Sequence, residues 1–385
     1  MSVAFRTMGM TIVSIGLPSF VESVAGSLTS YGIIVGAFSL TQCIFQFPFA
    51  AVSDKYGRRK VVLFGMLVYL LGTFLCFTAQ DIIQLIIYRA IQGIGAYTSI
   101  LQASVGDIYK KNQHGKGMGY YSIFVSVGSF IGFILGGYIS SFFGFRSVFL
   151  IQGFLISVSI IFIFFVLNEK NNSETVKVQN KNTNVNLKNL KVFIKERQYI
   201  FAVLNSCVRW FLYGFITAYI IWVLLNEKRG FGVNQITSSY IMLAVQGLYV
   251  LFIFLSSLLL RRFGSRKIMI LGQLIVMVSG ISFLFRDFVM NLPVFVIVIL
   301  FFAIGIGLFG PAGNTLLLEI IEDIQPDLKG SGIGFNNTIG FFCMAFAPMI
   351  MSSIGEIDIL LPFYVIIGLM AVALIISKFL VDKKY

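Results

Sequence analysis

The sequence predicts an all-α integral membrane protein with twelve transmembrane helices in two pseudo-symmetric six-helix bundles. Three observations carry this. Of 385 residues, 57% are hydrophobic and only 12% are charged; a soluble domain would carry roughly twice that charged share. The apolar residues fall in blocks of about 20, long enough to cross a bilayer as helices. A polar segment at 168–197 then divides those blocks six and six. Alternating strands of a membrane barrel, each roughly ten residues long, are not visible.

The blocks run 3–22, 31–52, 61–79, 82–105, 117–141, 146–167, 199–224, 236–260, 268–285, 293–318, 331–353 and 360–380. The first starts almost at Met1 and holds Arg6. It lacks a basic leader followed by a small-residue cleavage site, so it reads as a retained helix. No soluble domain is expected after the twelfth block. The domains expected are 1–167 as an N-terminal bundle, 168–197 as a linker and 198–385 as a C-terminal bundle. The linker is rich in Asn and Lys, as in 180–186, and cannot bury a core. It is expected to be largely disordered or loosely helical.

The formal charge of +13 is not spread evenly. Alternate loops, the linker and the C-terminal tail carry 22 Lys and Arg, among them Lys55, Arg58, Arg59, Lys60, Arg261, Arg262, Arg266 and Lys267. The opposite loops carry 4: Arg146, Lys228, Arg229 and Arg286. The positive-inside rule then places both termini and the linker in the cytoplasm of a cell-membrane protein. The charge is topological and does not call for a nucleic-acid partner. Cys43, Cys76, Cys207 and Cys343 all fall in predicted helices without a CxxC pair, and His114 is the only histidine. No metal, cofactor or enzymatic nucleophile–base pair is expected.

The halves echo each other. Lys55-Tyr56-Gly57-Arg58-Arg59-Lys60 aligns with Arg262-Phe263-Gly264-Ser265-Arg266-Lys267. Gly115, Gly117 and Gly119 match Gly330, Gly332 and Gly334. Together these indicate a duplicated six-helix unit, with the halves related by an axis along the membrane normal.

Between blocks 2 and 3 stands Asp54-Lys55-Tyr56-Gly57-Arg58-Arg59-Lys60. Basic residues anchor short cytoplasmic turns and need no further role. Asp54 is not explained that way, since a carboxylate at a helix end serves to accept hydrogen bonds from an arginine or a helix N-terminus. The run resembles the loop signature between helices 2 and 3 of the major facilitator superfamily, a large class of secondary transporters. The resemblance implies a conformational latch of Asp54, Gly57, Arg58 and Arg59, with Asp107 as the matching acid at the end of helix 4. Ala50 replaces the glycine usual in that signature.

In block 4, Arg89-x-x-Gln92-Gly93-x-Gly95-Ala96 resembles a second signature of the superfamily, whose arginine is linked to proton transfer in proton-coupled members. An arginine inside an apolar helix costs about 2.5–3.5 kcal/mol on insertion scales. It should therefore face the bundle interior, or snorkel from a helix end. In block 5, Gly128, Gly132, Gly136 and Gly137 are spaced for close helix packing. They also resemble an antiporter signature, with Phe133 where that signature has proline. The overall resemblance is to the twelve-helix drug/proton antiporter branch, and a small-molecule substrate with a coupling proton follows from it.

A substrate site in such a fold lies near the midplane between the halves. The polar and aromatic candidates are Gln42, Gln46, Asn205, Arg209, Trp210, Tyr213, Gln246, Tyr249, Asn314, Asn336 and Asn337. For coupling, Arg89, Gln92, Glu22 and Arg6 are the candidates, because no acid stands at a helix centre. The reading is proton-coupled efflux of small hydrophobic or amphipathic molecules by a monomeric carrier. An organic-anion importer or exchanger suits the intramembrane arginines. A non-transporting membrane sensor on the same fold is the remaining alternative.

Overall fold

The computed structural model of the chain describes residues 1–24, 26–95, 97–98, 100–101, 104, 114–166, 192–325 and 329–380. Among these, every regular element is a helix. The helices are α1 (Ser2–Ser23), α2 (Leu28–Tyr56), α3 (Arg58–Thr78), α4 (Ile82–Ile94), α5 (His114–Phe143) and α6 (Ser147–Val166). After the linker come α7 (Arg197–Leu225), α8 (Gln235–Phe263), α9 (Ser265–Ile281), α10 (Leu292–Ile324), α11 (Lys329–Ile357) and α12 (Leu361–Lys378), with a one-turn helix at Arg286–Val289. Eleven of the helices are long and apolar enough to cross a membrane, and Ile82–Ile94 is a shorter apolar helix.

Local chemistry sets the helix ends. Ser27 starts α2 by accepting from the Ser30 N–H at 3.2 Å, and Asp81 starts α4 by accepting from Gln84 at 2.8 Å; both are side-chain N-caps. Gly57 and Gly264 open α3 and α9 with φ of 94° and 83°, a region glycine enters without a Cβ clash. They stand at matching points of the repeat. Helix α10 runs to Ile324, past its apolar block, because backbone hydrogen bonding does not stop where hydrophobicity does.

The fourth block was expected as one helix over 82–105, and α4 instead stops at Ile94. The Gly95 N–H turns to Gln92 O at 3.2 Å, and helical bonding returns with the Leu101 N–H to Tyr97 O at 3.2 Å. The break falls where the chain is closely packed on both sides. A Cβ at Gly95 would lie 2.5 Å from Gly65 O on α3, and one at Gly93 would overlap Thr41 and the Phe38 carbonyl on α2. The Thr41 hydroxyl also donates to Ala90 O at 2.9 Å.

By contact, the chain divides into two compact units: Met1–Asn184 with Val233–Tyr240, and Val185–Gly232 with Ile241–Tyr385. In the first, α1 packs on α5 and α6, α4 packs on α2 and α3, and α3 packs on α6. In the second, α7 packs on α11 and α12, and α9 packs on α10 and α12. The pairing pattern repeats. So does the α3–α4 crossing at Gly65 and Gly95, which returns as α9–α10 at Gly272 and Gly305. The residues 233–240 belong with the first unit through Gln235, whose side chain donates to the Ser19 hydroxyl at 3.1 Å, and through the Tyr138 and Tyr240 hydroxyls, 2.9 Å apart.

The basic residues of the repeated loop act locally. Arg59 donates to Phe164 O near the end of α6 and lies 4.9 Å from the Phe164 ring centroid. Its repeat counterpart Arg266 donates to Ser377 O at 3.0 Å and to Lys378 O at 2.6 Å, closing the end of α12. A cation on terminal carbonyls satisfies orphan acceptors and opposes the helix dipole. Arg266→Ala is expected to destabilise the protein by about 1–3 kcal/mol, the scale of charge-assisted hydrogen bonds. Thermal unfolding in detergent measures it.

In the second unit, two arginines hold the α11–α12 turn. Arg229 lies 3.6 Å from the Glu356 carboxylate, and Arg286 lies 2.6 Å from Asp358 Oδ2. The Leu360 N–H donates to Asp358 Oδ1 at 2.8 Å. That backbone donor first, and Arg286 second, hold the Asp358 carboxyl below its ordinary pKa. A depressed folded-state pKa stabilises above the unfolded value and is lost as pH falls through the folded value. Asp358→Asn should therefore lower the melting temperature at neutral pH. Its gap to wild type should close below the ordinary carboxylate range of about 4.

Candidate functional site: two arginine-centred polar clusters

In the first unit the cluster is built on Arg89 of α4. Its side chain is 6% exposed and stacks 4.4 Å from the Phe38 ring centroid on α2. Arg89 Nη1 donates to Gln92 Oε1 at 2.5 Å. Gln92 Nε2 reaches Thr73 Oγ1 on α3 at 2.7 Å and Gln152 Oε1 on α6 at 2.9 Å. Gln152 Nε2 in turn donates to the Tyr69 hydroxyl at 2.8 Å. The network ties three helices together. Arg89 Nε is buried without an acceptor. Among the described residues every hydrogen-bond partner of Arg89 is neutral.

Arg6 of α1 reaches the same aromatic group. It is 8% exposed, lies 5.6 Å from the Tyr97 ring centroid, and has its Nε without an acceptor. Tyr97 packs edge-on against Tyr69, and Tyr69 against Phe38, at 5.9 and 6.1 Å. Two cations thus share one cluster of rings. A cation over an aromatic face recovers up to about 2 kcal/mol when desolvated, less than the several kcal/mol that burying an ion costs.

In the second unit the cluster centres on Arg209 of α7. Its Nη2 donates to Asn314 Oδ1 of α10 at 2.8 Å and to Ser206 Oγ at 3.2 Å. The guanidinium lies 5.1 Å from the Trp210 ring centroid. Trp210 packs on Tyr213 at 6.5 Å and Phe341 at 5.0 Å, and Tyr213 on Tyr249 at 6.3 Å. A small cavity opens beside Arg209, with Asn205, Ser206, Phe309 and Leu316 among its walls. Deeper in the unit, Gln273 of α9 donates to Asn205 at 2.6 Å, and Ser377 of α12 donates to Gln273 at 2.9 Å. This knot joins α7, α9 and α12 as the Gln92 knot joins α4, α3 and α6.

The structure therefore unites Arg89 with Gln92, and Arg209 with Trp210, Tyr213, Tyr249 and Asn314. Asn205 lies in the helix-to-helix knot. Gln42 reaches Thr98 Oγ1 at 3.4 Å, and Gln46 and Gln246 are half-buried. Asn336 is 2% exposed, donates to Asn337 Oδ1 at 3.5 Å, and has an Oδ1 without a donor. Glu22 is exposed at the end of α1. Arg58 opens α3 after Gly57. Asp54 lies in the last turns of α2 with its side chain outside the description, and Asp107 and most of 168–197 lie outside the described residues. Gly128, Gly132 and Gly136 all face α1, and Gly137 faces Gln235 and Ser239.

Sequence reasoning missed Tyr69, Thr73, Gln152, Gln273 and Ser377. The signal for two of them was present. Gln152 and Gln273 are lone amides in apolar runs, and such residues hydrogen-bond across helices in a bilayer.

Two compact helical units, with eleven helices among the described residues long and apolar enough to cross a membrane, define a multi-pass membrane protein. A family model described as Major Facilitator Superfamily matches residues 1–348 and again 229–385. The chain belongs to the Major Facilitator Superfamily. It is 32% identical over 151 residues to an uncharacterized transporter of Buchnera aphidicola subsp. Schizaphis graminum, covering 39% of this chain and 38% of that protein. That alignment spans well under half of the relative. It is 24% identical over 388 residues to multidrug resistance protein 2 of Bacillus subtilis, covering 99% of this chain and 93% of that protein. A solved bacterial homologue of the human lysosomal transporter Spinster, inward-facing and occupied, superposes with a TM-score of 0.80 at 14% identity, covering 98% and 94% of the two chains. That likeness is one of fold.

Proposed function

We propose that the protein exports small hydrophobic or amphipathic molecules by alternating access, in exchange for protons. One observation carries this reading: Arg89 is buried inside the first unit at the centre of a hydrogen-bonded network, Arg89 to Gln92 and Gln92 to Thr73 and Gln152, that ties three helices together. The full-length likeness to a protein named for multidrug resistance supports the direction. Among the described residues no carboxylate stands mid-span; Glu22, Glu319, Glu322 and Glu356 are all near helix ends. The proposal therefore places no proton on a midplane acid, and gives the Arg89 cluster an electrostatic part in coupling, since the guanidinium keeps its own proton.

The latch of Asp54, Gly57, Arg58 and Asp107 is part of the same proposal. It gains support from the repeat, where Ser265, the counterpart of Arg58, donates to both oxygens of Glu319 at the end of α10 (3.2 and 3.0 Å). The charge asymmetry of the loops supports a cell-membrane protein with both termini cytoplasmic. A monomer suffices for the mechanism.

The test uses inverted vesicles acidified inside, a pH-sensitive dye, and a panel of lipophilic cations, neutral compounds and organic acids. Substrate-evoked proton release that Arg89→Ala lacks is the expected result. Movement of labelled acids without proton release would replace it with a second reading, an organic-anion importer or exchanger. The neutral hydrogen-bond partners of both Arg89 and Arg209 favour that second reading.

A further inference from the structure

Among the described residues the hydrogen-bond partners of Arg209 are uncharged. Its guanidinium donates to the hydroxyl of Ser206 and to Asn314 Oδ1. Asn314 is exposed and Tyr213 is 36% exposed, so the group can be reached from outside the bundle. With its oxygen engaged by Arg209, the Asn314 amide retains two N–H donors. A guanidinium and an amide NH2 side by side suit the two oxygens of a carboxylate.

Aromatic faces stand next to these donors. Trp210 carries the guanidinium at 5.1 Å, Tyr213 stands at 84° to Trp210, and Tyr249 lies 6.3 Å from Tyr213. Phe341 of α11 backs Trp210 at 5.0 Å. Aromatic pairs favour offset and edge-to-face contacts over aliphatic ones of similar area. A lipophilic cation has no acid here to meet it. A neutral ring would use the aromatic faces and leave the guanidinium unanswered. A phosphate dianion would meet one cation only.

We infer that the Arg209, Asn314, Tyr213 and Tyr249 group selects small aromatic carboxylates, with the acid on Arg209 and Asn314 and the ring against the tyrosines. The inference rests on the export reading above and names the substrate class for it.

Four probes of similar size separate its parts: benzoate, benzamide, cyclohexanecarboxylate and benzyltrimethylammonium. Binding is read from saturable thermal stabilisation of the purified full chain, which a ligand of the native state produces. Transport is read in the inverted vesicles. Benzoate should bind about tenfold or more tightly than benzamide, the scale of one charge-assisted hydrogen bond, and about two- to tenfold more tightly than cyclohexanecarboxylate, the scale of an aromatic pair. Arg209→Gln should erase the preference for acid over amide. Tyr213→Leu, at an exposed position, should erase the preference for benzoate over cyclohexanecarboxylate and keep that for the acid.

Equal binding of benzoate and benzamide to wild type would overturn the inference, as would an acid preference that survives in Arg209→Gln. Export of benzyltrimethylammonium with no response to benzoate would sink the substrate class and leave the export reading standing. Selective benzoate binding with no substrate-evoked movement would do the reverse.

Discussion

Arg89→Ala is expected to abolish substrate-dependent transport while leaving an inserted, folded protein. Truncating one partner of a buried, hydrogen-bonded charge costs about 2–5 kcal/mol in the state that uses it, so the rate should fall by about 10²-fold or more. The fold should not fall with it. Arg89 touches Gln92 and Phe38, and the Gln92 amide keeps Thr73 and Gln152 without it. Replacing a buried ion by an apolar side chain of similar length is often neutral or stabilising. Arg89→Met should thus melt at or above the wild-type temperature and still fail to transport. Arg89→Lys keeps the charge but not the planar fork, and should recover only part of the activity. Initial rates in vesicles, set beside melting temperatures in detergent, measure all three. Full transport by Arg89→Met would make the arginine a tolerated passenger and remove this cluster from the coupling step.

Gly132→Leu is expected to abolish folding rather than transport. A Cβ there would overlap the Thr11 hydroxyl and lie 2.6 Å from Met8 O, so the obstruction is partly backbone. Gly128 and Gly136 meet Ala4 and Ile12 of α1 in the same way. Without a hydrophobic drive between helices in lipid, association rests on such close approach. Overpacking a core typically costs about 1–3 kcal/mol, and a leucine wedge on backbone belongs at or above the top of that range. Loss of monodisperse protein on extraction is the readout. Gly368 of α12 provides the contrast, since a Cβ there meets nothing within 4 Å. Gly368→Ala should leave yield unchanged or raise stability by about 0.4–1 kcal/mol, through the unfolded chain. Equal behaviour of the two variants would mean that the glycine stripe does not set the α1–α5 distance.

Much of the architecture was written in the chain because the bilayer makes it legible. A span must satisfy its own backbone and be apolar along its length, so helix number and approximate limits follow from composition alone. The repeated basic loops marked the duplication, and the structure repeats the helix pairing to match. The glycine spacing in α5 announced a close-packed helix, and its partner proved to be α1.

Which polar groups meet was decided only by the tertiary structure. Helices that are apolar nearly all round carry no stripe to say which side faces inward. The partner of Gln92 is Gln152, 60 residues away on α6, and that of Asn205 is Gln273 on α9. The same limit applies to Arg59, which lies in the loop signature yet caps α6, and to Gly95, which packs on Gly65 and Tyr69 where α4 ends inside an unbroken apolar run. The sequence by itself determined a duplicated, twelve-helix membrane protein with charges confined to loop ends and a few helix positions. Only the packing of those helices decided that Arg89 and Arg209 are held by neutral groups, because hydrogen-bond partners are a matter of distance across helices and not of order along the chain.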